Sequence, residues 1–363
     1  MLSGVIGCTA DSGTPGPPPP GAPADFPDIE PRALTLGNAE PYGVAWITAL
    51  SDGRLVINDP NESPFLRVYD STGAELARFG RDGSGPGEVH GLVEMWGHGD
   101  TLVVYDESRA TIRFRGDGTL LDESPVVGME WPLSATVDSF DGYANIGARR
   151  PAPRPPIERR AIHGIEHRTL LGPGDSIFDL ADSLTRFRSM PSGAWLGTPT
   201  RNYFGEGWTY TIGVYAPDGT RLGIIRRDLG PNQRSPAALA RTRASLELAN
   251  QPSPGPSGKL MAPSPSIQAR LDTLERESIR HFEFGMLRVD GLGRLWVFGD
   301  LGEQTFADVF ADTVFLGRHV LDCRKPRMRI AMAEDWFALQ CHPDAPDADN
   351  PFQIRSWRIV EQH

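Results

Sequence analysis

Several classes of protein are excluded by what the sequence has little of. The 363-residue chain has no run of 18 consecutive apolar residues, so we expect no transmembrane helix. Lys and Arg (36) are outnumbered by Asp and Glu (47), and the net charge of −11 argues against a broad nucleic-acid-binding surface. The HExxH motif of zinc proteases is missing, as are the GxSxG and SxxK motifs of serine hydrolases. No familiar catalytic signature therefore assigns a reaction.

The first 29 residues have the pattern of a truncated signal followed by a tether. Val5-Ile6-Gly7-Cys8 resembles the bacterial lipobox, whose cysteine carries the lipid. The Pro-rich segment 13–24 is typical of a semi-rigid spacer. A basic segment and most of an apolar segment are missing before the motif, so either translation starts upstream or the match is accidental. We predict lipidation of Cys8 and export to the cell envelope, with membrane contact through that lipid alone.

The other two cysteines, Cys323 and Cys341, form an even pair once Cys8 is set aside. Each follows a strand-like run, and a disulfide between them is geometrically feasible if the two strands are neighbours in the sheet. An oxidising compartment would permit that bond. The alternative is a pair of reduced, buried thiols.

A polar-glycine turn followed by an apolar run recurs along the chain. Glycine supplies the positive φ that a tight hairpin turn needs, and a repeat of about 40–50 residues is typical of β-propellers. Second hairpins at 65–79, 111–121 and 212–225 give four strands per repeat. The turn glycines are Gly53, Gly99, Gly142, Gly193 and Gly291, at steps of 46, 43, 51 and 98 residues.

The step of 98 residues contains a segment of helical character. Ser235-Pro236 can begin a helix over 237–250, and Ser266 can cap a second helix. Removing about 50 residues from this step leaves one ordinary repeat. A weaker repeat is expected at Asp335, 44 residues after Gly291. We predict an all-β, six-bladed propeller of four-stranded antiparallel blades over residues 30–363, with a helical hairpin (232–281) between blades 4 and 5.

Residues 79–89, 99–106 and 112–114 resemble an NHL-type repeat. The chain is similar to the six-bladed propeller proteins of the bacterial envelope, which often carry a lipobox. The resemblance implies a ring closed by an N-terminal strand, so we expect 33–36 to pair with 356–360. The glycines of loop 80–88 indicate a tight crossover between blades, because no phosphate-binding motif accompanies them.

The candidate ligand-binding residues are aromatic and basic. An aromatic-rich stretch near residue 200 suits a sugar or peptide, and its alternative role is packing between blades. A basic, Pro-rich stretch (149–160) suits an acidic partner or lipid head groups, and its alternative is a solvated loop. These candidates are Trp195, Tyr203, Trp208, Tyr210, Arg149 and Arg150.

Acidic and amide side chains are the weak candidates for a metal site. The lactonase-like and lyase-like six-bladed enzymes hold a cation, such as calcium, at the mouth of the central channel with ligands from several blades. Histidines at 90 and 98 and at 163 and 167 lie close in sequence, but strand or turn geometry would keep them apart. The metal candidates are Glu94, Asp138, Asp141 and Asn145.

The sequence favours a non-enzymatic binding or scaffolding propeller that recognises a protein, peptide or glycan. We expect a monomer without a cofactor and without a nucleic-acid partner. The alternative is a metal-dependent hydrolase or lyase with its site at the channel mouth. Three or more converging oxygen or nitrogen ligands at the mouth would favour the enzyme, and arginines with apolar groups would favour the binding module.

Overall fold

A computed structural model describes most of the chain between Phe26 and Glu361. The described residues are 26–34, 36, 46–59, 62–106, 110–125, 129–135, 139–144, 157–161, 167–171, 193–198, 200–254, 260–282, 286–301, 304–324, 329–341 and 353–361. Across these ranges, no helix combines the length and the apolar character that a membrane span requires.

The described strands form six antiparallel sheets of four strands each, numbered here in chain order. Sheet 1 contains β2 (Trp46–Ala49), β3 (Leu55–Asn58), β4 (Leu66–Tyr69) and β5 (Glu75–Phe79). Sheet 2 contains β6 (Leu92–His98), β7 (Thr101–Asp106), β8 (Ala110–Arg115) and β9 (Leu120–Pro125). Sheet 3 contains β10 (Met129–Ala135), β11 (Ser139–Ala144), β12 (Ile157–Ala161) and β13 (His167–Leu171).

The remaining three sheets follow the same order, except that the last one combines both ends of the chain. Sheet 4 contains β14 (Gly193–Gly197), β15 (Asn202–Glu206), β16 (Thr211–Tyr215) and β17 (Arg221–Arg226). Sheet 5 contains β22 (Leu287–Val289), β23 (Leu295–Asp300), β24 (Thr305–Ala311) and β25 (Val314–Leu321). Sheet 6 contains β26 (Ile330–Met332), β27 (Trp336–Cys341), β28 (Gln353–Val360) and β1 (Asp28–Arg32).

The first strands of the sheets contact one another in a closed cycle. The strand β2 contacts β6, and the contacts continue through β10, β14, β22 and β26 back to β2. These strands therefore surround a common axis, and the other strands of each sheet lie further out. This is the arrangement of an all-β propeller with four-stranded antiparallel blades, as the sequence predicts.

Burial along the strands follows from this arrangement. The middle strands β3, β4 and β16 are buried along their whole length. The outer strands β5 and β9 are mostly exposed or half-buried. A middle strand is covered on both faces by the neighbouring sheets, so its sequence is a continuous apolar run rather than an alternating one.

An N-terminal strand completes sheet 6, although it is not the segment predicted. The strand β1 pairs with β28 so that Asp28 lies opposite Val360 and Arg32 opposite Ser356. The predicted partner region was right, but residues 33–36 are not the paired ones. Phe26 explains the shift, because its ring is 2% exposed and stacks on His319 with 4.5 Å between ring centroids. That buried contact places the paired strand five residues earlier than predicted, so that it begins within the first 29 residues, the predicted tether region.

The predicted turns are partly correct. Gly53 and Gly99 have positive φ values of 85° and 57° and lie between the first and second strands of their sheets. The three predicted second hairpins are present as β4–β5, β8–β9 and β16–β17. Gly142 and Gly193 were wrongly predicted as turn residues, because they lie inside β11 and at the start of β14. Gly142 pairs with the β10 residue Pro132 beside a register shift, where glycine in a strand is common.

Two helices lie between sheets 4 and 5. They are α1 (Pro236–Ala249) and α2 (Pro265–Thr273), accompanied by a 3-10 turn (Leu274–Arg276) and the short strands β18 (Asn232–Gln233), β19 (Ser253–Pro254), β20 (Leu260–Met261) and β21 (Ser278–Ile279). The Ser235 hydroxyl accepts a hydrogen bond from the Ala238 N–H at 3.2 Å, the predicted N-cap. The N-cap of α2 is Ser264 rather than the predicted Ser266. Pairing of β18 with β21 brings the two ends of this segment together.

A disulfide joins Cys323 to Cys341. Both residues are buried, and their Cα atoms are 5.2 Å apart. The bridge connects the chain just after β25 to the end of β27, so it links two neighbouring sheets rather than two strands of one sheet. The prediction of a disulfide is confirmed, and the alternative of two free thiols is wrong.

Candidate functional site

The propeller has two faces around its channel, which differ in the connections that they carry. Each sheet starts at its inner strand, so the turns that join first to second strands lie on one face. The links from one sheet to the next lie on the opposite face, which we call the connection face. The segment 227–286, with both helices, is such a link. The inner strands therefore begin at the connection face and end at the turn face.

Charged and aromatic side chains meet in the channel near the connection face. Trp46 opens β2, Glu94 lies early in β6, Arg288 is the middle residue of β22, and Arg329 comes directly before β26. We call these four residues the channel cluster. All four are half-buried, which is the exposure expected of side chains that line a narrow channel.

The guanidinium of Arg288 is held by the backbones of two sheets. Its Nε and Nη2 donate hydrogen bonds to the carbonyl oxygen of Ile330 on β26, at 3.0 and 2.8 Å. Its Nη1 donates to the carbonyl oxygen of Leu287 at 2.8 Å. These bonds fix the orientation of the planar group.

The guanidinium of Arg329 covers the indole of Trp46. The guanidinium carbon lies 2.9 Å from the ring centroid, a cation–π contact between sheets 6 and 1. Behind Arg329 lies Gln340, whose backbone N–H donates to the Arg329 carbonyl oxygen at 3.4 Å. Gln340 is 1% exposed, and neither atom of its amide has a hydrogen-bond partner among the described residues. A buried amide without a hydrogen-bond partner is unusual in a folded protein.

Glu94 interacts electrostatically with both arginines. Its sheet, sheet 2, lies opposite sheet 5 in the cycle of inner strands, so its interaction with Arg288 crosses the channel. Burial raises the pKa of Glu94 to about 8, although Arg329 and Arg288 act in the opposite direction. Burial also lowers the pKa of Arg288 to about 10. At pH 7, Glu94 is therefore mainly the neutral acid, while Arg288 keeps its charge.

A second charged cluster lies away from the channel, between sheets 4 and 5. The Asp308 carboxylate is buried on β24 and accepts hydrogen bonds from Arg318 Nε and Nη2 at 2.6 and 2.8 Å. Arg227 Nη1 donates to it at 2.5 Å, and the Tyr210 hydroxyl donates to the same carboxylate. Phenyl rings lie under both guanidiniums, with centroid distances of 3.8 and 3.9 Å. We call Tyr210, Arg227, Asp308 and Arg318 the brace cluster, because it fastens two sheets together.

The predicted aromatic surface is largely part of the core. Tyr203 and Tyr210 are 2% and 0% exposed, so neither ring can contact a ligand, and their prediction as ligand-binding residues is corrected. Both belong to the largest apolar cluster, which is where the alternative of packing between blades placed them. Trp208 is half-buried and has the Arg280 guanidinium 5.3 Å from its ring centroid. Trp195 lies in β14 and is described in its backbone only.

Of the four predicted metal ligands, Glu94 is the one whose side chain is described. Glu94 has two arginines as its charged neighbours, and these oppose a cation at that carboxyl. No group of three His, Cys, Asp or Glu side chains in the described ranges could hold a metal ion. Asp141 lies in β11 with only its backbone described. Asp138 and Asn145 lie outside the described residues, as do Cys8, Arg149 and Arg150.

In the glycine-rich loop 80–88, a carboxylate of the loop itself occupies the backbone. The Glu88 carboxylate accepts a hydrogen bond from the Gly85 N–H at 2.8 Å. A Cβ atom on Gly83 would overlap that carboxylate, so the loop wraps closely around it. The backbone that could have cradled a phosphate is thus occupied by Glu88, in agreement with the predicted crossover between blades.

Sequence reasoning missed three of the four residues in the channel cluster. Arg288 is a charged residue in a short apolar run just before the Gly291 turn, and Glu94 has the same relation to Gly99. Because the run before such a turn becomes an inner strand, a charge there is a signal for the channel. Trp46 lies further from its turn glycine, and the turn that follows Arg329 has no glycine. Neither residue therefore carries a comparable signal.

Comparisons with known proteins show similarity of fold alone. No protein-family model matches the chain, and no curated protein matches it. A member of the DUF4221 family from Bacteroides vulgatus is 9% identical over 93% of this chain and 98% of that chain, with a TM-score of 0.55. A protein from Bacteroides fragilis, whose name describes it as exported, is 12% identical over 91% and 95%, with a TM-score of 0.49. Only the first has a TM-score high enough to support the fold.

Proposed function

We propose that this chain is a non-enzymatic binding module of the cell envelope, and that its ligand is a protein, a peptide or a glycan. The observation that carries the proposal is the channel cluster. Two guanidiniums, a carboxyl and an indole from four sheets converge at one channel mouth, where side chains can converge on a ligand from several sides. The alternative, a metal-dependent hydrolase or lyase, is disfavoured at Glu94 because its charged neighbours are cations.

We further infer a six-bladed, NHL-like ring, in which α1 and α2 belong to an insertion between blades 4 and 5. The closed cycle of first strands supports this count. The buried disulfide supports residence in an oxidising compartment, such as the periplasm or the cell surface. We retain the proposal that Cys8 is lipidated and that segment 13–24 is the tether. The protein would act as a monomer without a cofactor.

An array experiment tests the binding function. The purified full chain is applied to arrays of peptides and of oligosaccharides, in parallel with the double variant Arg288→Gln/Arg329→Gln. We expect the wild type to bind a restricted set of ligands and the double variant to lose them. Turnover of an arrayed ligand in the presence of added calcium, or the absence of any bound ligand, would contradict the proposal.

Mass spectrometry tests the tether. Protein extracted from membranes should begin at Cys8 and carry a lipid on that residue. A Cys8→Ser variant should be released from the membrane fraction, because the proposed anchor is the lipid on that cysteine. An unmodified chain that contains residues before Cys8 would contradict the anchor.

A further inference from the structure

The N-terminal residues 26–32, which we call the latch, contact three sheets of the ring. Residues 28–32 are β1 and pair with β28 of sheet 6. At one end of the latch, the Phe26 ring lies against sheet 5, so closely that a Cβ atom on Gly317 of β25 would overlap it. At the other end, the Arg32 guanidinium donates a hydrogen bond to the Ser71 carbonyl oxygen of sheet 1 at 2.8 Å. One short segment therefore fastens sheets 5, 6 and 1.

His319 on β25 holds the first end of the latch. Its ring stacks on Phe26 and on Trp296, with 4.5 and 5.9 Å between centroids and interplanar angles of 16° and 12°. Its Nε2 atom lies 3.0 Å from the Pro27 carbonyl oxygen and donates a hydrogen bond to it in the Nε2–H tautomer. Phe26 and Pro27 are both buried, so a titratable ring makes the main contacts of the two buried residues of the latch.

We propose that the latch is a conformational device that acid releases. Protonation of His319 detaches residues 26–32, while the six sheets stay folded and joined to one another. The release leaves the outer edge of β28 without its paired strand. This inference does not depend on which ligand the proposed binding function involves.

The latch can leave without opening the ring, because other contacts hold the same sheets together. The buried disulfide between Cys323 and Cys341 joins sheets 5 and 6. Sheets 6 and 1 share an apolar cluster that includes Ile57 and Ala338. The residues of β1 itself are all exposed or half-buried. Segments with few buried apolar contacts open at a lower free energy than the core, so we expect the latch to open first.

Burial makes the closed latch unfavourable for a charged imidazole. It lowers the pKa of His319 to about 4, although the hydrogen bond to Pro27 and the charge of Asp28 act in the opposite direction. On the side of the Trp296 indole, the charged groups are Asp290 and Arg294, which pair with each other at 2.7 Å. The closed latch is therefore stable above the ordinary histidine pKa of 6.5 and loses stability as the pH falls from about 6.5 to 4.

Hydrogen exchange of the full chain, followed by mass spectrometry, tests the latch. Exchange of the backbone amides of residues 28–32 is compared at pH 5 and pH 7, after correction for the intrinsic exchange rates. With a His319 pKa of about 4 in the closed latch and 6.5 in the released one, the equilibrium constant for opening should be roughly twentyfold larger at pH 5. The amides of the middle strands β3 and β16 should stay protected at both pH values.

Two variants of His319 should remove this dependence on pH, because neither has a side chain that titrates in the range. His319→Phe keeps a stacked ring, and His319→Gln keeps an N–H donor for the Pro27 carbonyl oxygen. Their opening at pH 7 can differ, but the ratio between pH 5 and pH 7 should be near one in both. His90→Gln is the matched control, since the His90 side chain is 61% exposed, and it should keep the twentyfold ratio.

Phe26→Ala tests the geometry of the latch without a change of pH. Removing the buried ring should raise the opening of residues 28–32 at pH 7 at least tenfold, while β3 and β16 keep their protection. Leu76→Ala, at an exposed apolar position on the outer strand β5, is its matched control and should leave the latch closed.

Four results would overturn the device. They are equal opening of the wild type at pH 5 and pH 7, a wild-type ratio in both His319 variants, unchanged protection in Phe26→Ala, and loss of protection in β3 and β16 together with the latch. The last of these would mean that acid unfolds the ring instead of releasing one segment. None of them bears on the proposed binding function, which the arrays test separately.

Discussion

The brace cluster and the channel cluster contain the same charged groups in different surroundings. Each has one carboxyl and two guanidiniums contributed by more than one sheet. In the brace cluster, Asp308 accepts hydrogen bonds from both guanidiniums and from the Tyr210 hydroxyl. In the channel cluster, the hydrogen bonds of Arg288 go to backbone carbonyls, and burial keeps Glu94 mainly protonated at pH 7.

This difference separates the structural brace cluster from the channel cluster, which we propose as a binding site. The buried Asp308 carboxylate accepts four hydrogen bonds, and it contributes by fastening sheets 4 and 5. The hydrogen bond that Glu94 accepts comes from the Met95 N–H beside it at 3.4 Å, so its carboxyl does not fasten sheets together in this way. The composition of a charged cluster therefore does not reveal its role, whereas the partners of its carboxyl do.

The largest effect on stability is expected from removing the carboxylate of the brace cluster. Asp308→Asn leaves the half-buried guanidiniums of Arg227 and Arg318 without their buried anion, and should lower the free energy of unfolding by about 3–5 kcal/mol. Urea denaturation followed by circular dichroism measures it. Asp312→Asn is the matched control, because the Asp312 side chain is 71% exposed and its ion pair with Arg201 lies at the surface. That control should change stability by less than about 1 kcal/mol. Equal effects at the two positions would contradict the structural role of Asp308.

More of the fold than of the site could be predicted from the sequence. The hairpins at 65–79 and 212–225 have glycine-containing turns between apolar runs, and such local signals are sufficient to place strands. The turn prediction failed at Gly142 and Gly193, because glycine also occurs inside strands where a bulge or a close neighbour requires it. The pairing of residues 28–32 with the last strand could not be predicted, because it depends on the contact between Phe26 and His319, which lie almost 300 residues apart in the sequence.

The channel cluster could not be assembled from the sequence, because its members are brought together only by ring closure. Glu94 was a candidate metal ligand, but in the structure Arg288 and Arg329 act on its carboxyl electrostatically, and these cations disfavour a metal ion there. Tyr210 was a candidate for ligand binding because it lies in an aromatic-rich stretch that contains glycines, a pattern typical of surface loops. Its hydroxyl instead points to a buried carboxylate on another sheet. Long-range electrostatic partners were the missing information in both cases.

A smaller effect is expected from Glu94, and its sign depends on pH. The pKa of Glu94 is raised to about 8 in the folded protein, so the folded state holds a proton that the unfolded state releases above about pH 4.5. The stability of the wild type should therefore fall as the pH rises from about 5 to 8. Glu94→Gln should flatten that slope and be more stable at pH 8 by about 1–3 kcal/mol. Thermal unfolding measured across this pH range tests it.

Asp106→Asn provides a contrast for that experiment, because Asp106 is a buried carboxylate that accepts the Ala110 N–H at 3.0 Å. Replacing this buried hydrogen-bond acceptor should destabilise the protein at pH 8, which is the opposite sign to Glu94→Gln. A Glu94→Gln variant that is less stable than the wild type at pH 8 would mean that Glu94 is paired with the arginines, as Asp308 is. The two clusters would then have the same role.

The smallest effect expected concerns the Tyr210 hydroxyl. Tyr210→Phe removes one of the donors to Asp308 and should cost about 1.5 kcal/mol, because the two guanidiniums remain. In the Asp308→Asn background the same change should cost much less, since the charged acceptor is already gone. Ligand binding at the channel should be unaffected in either background, because Tyr210 is buried between sheets 4 and 5. Loss of binding with unchanged stability would instead restore Tyr210 to the ligand-binding surface that its sequence suggested, and would remove the distinction between the two clusters.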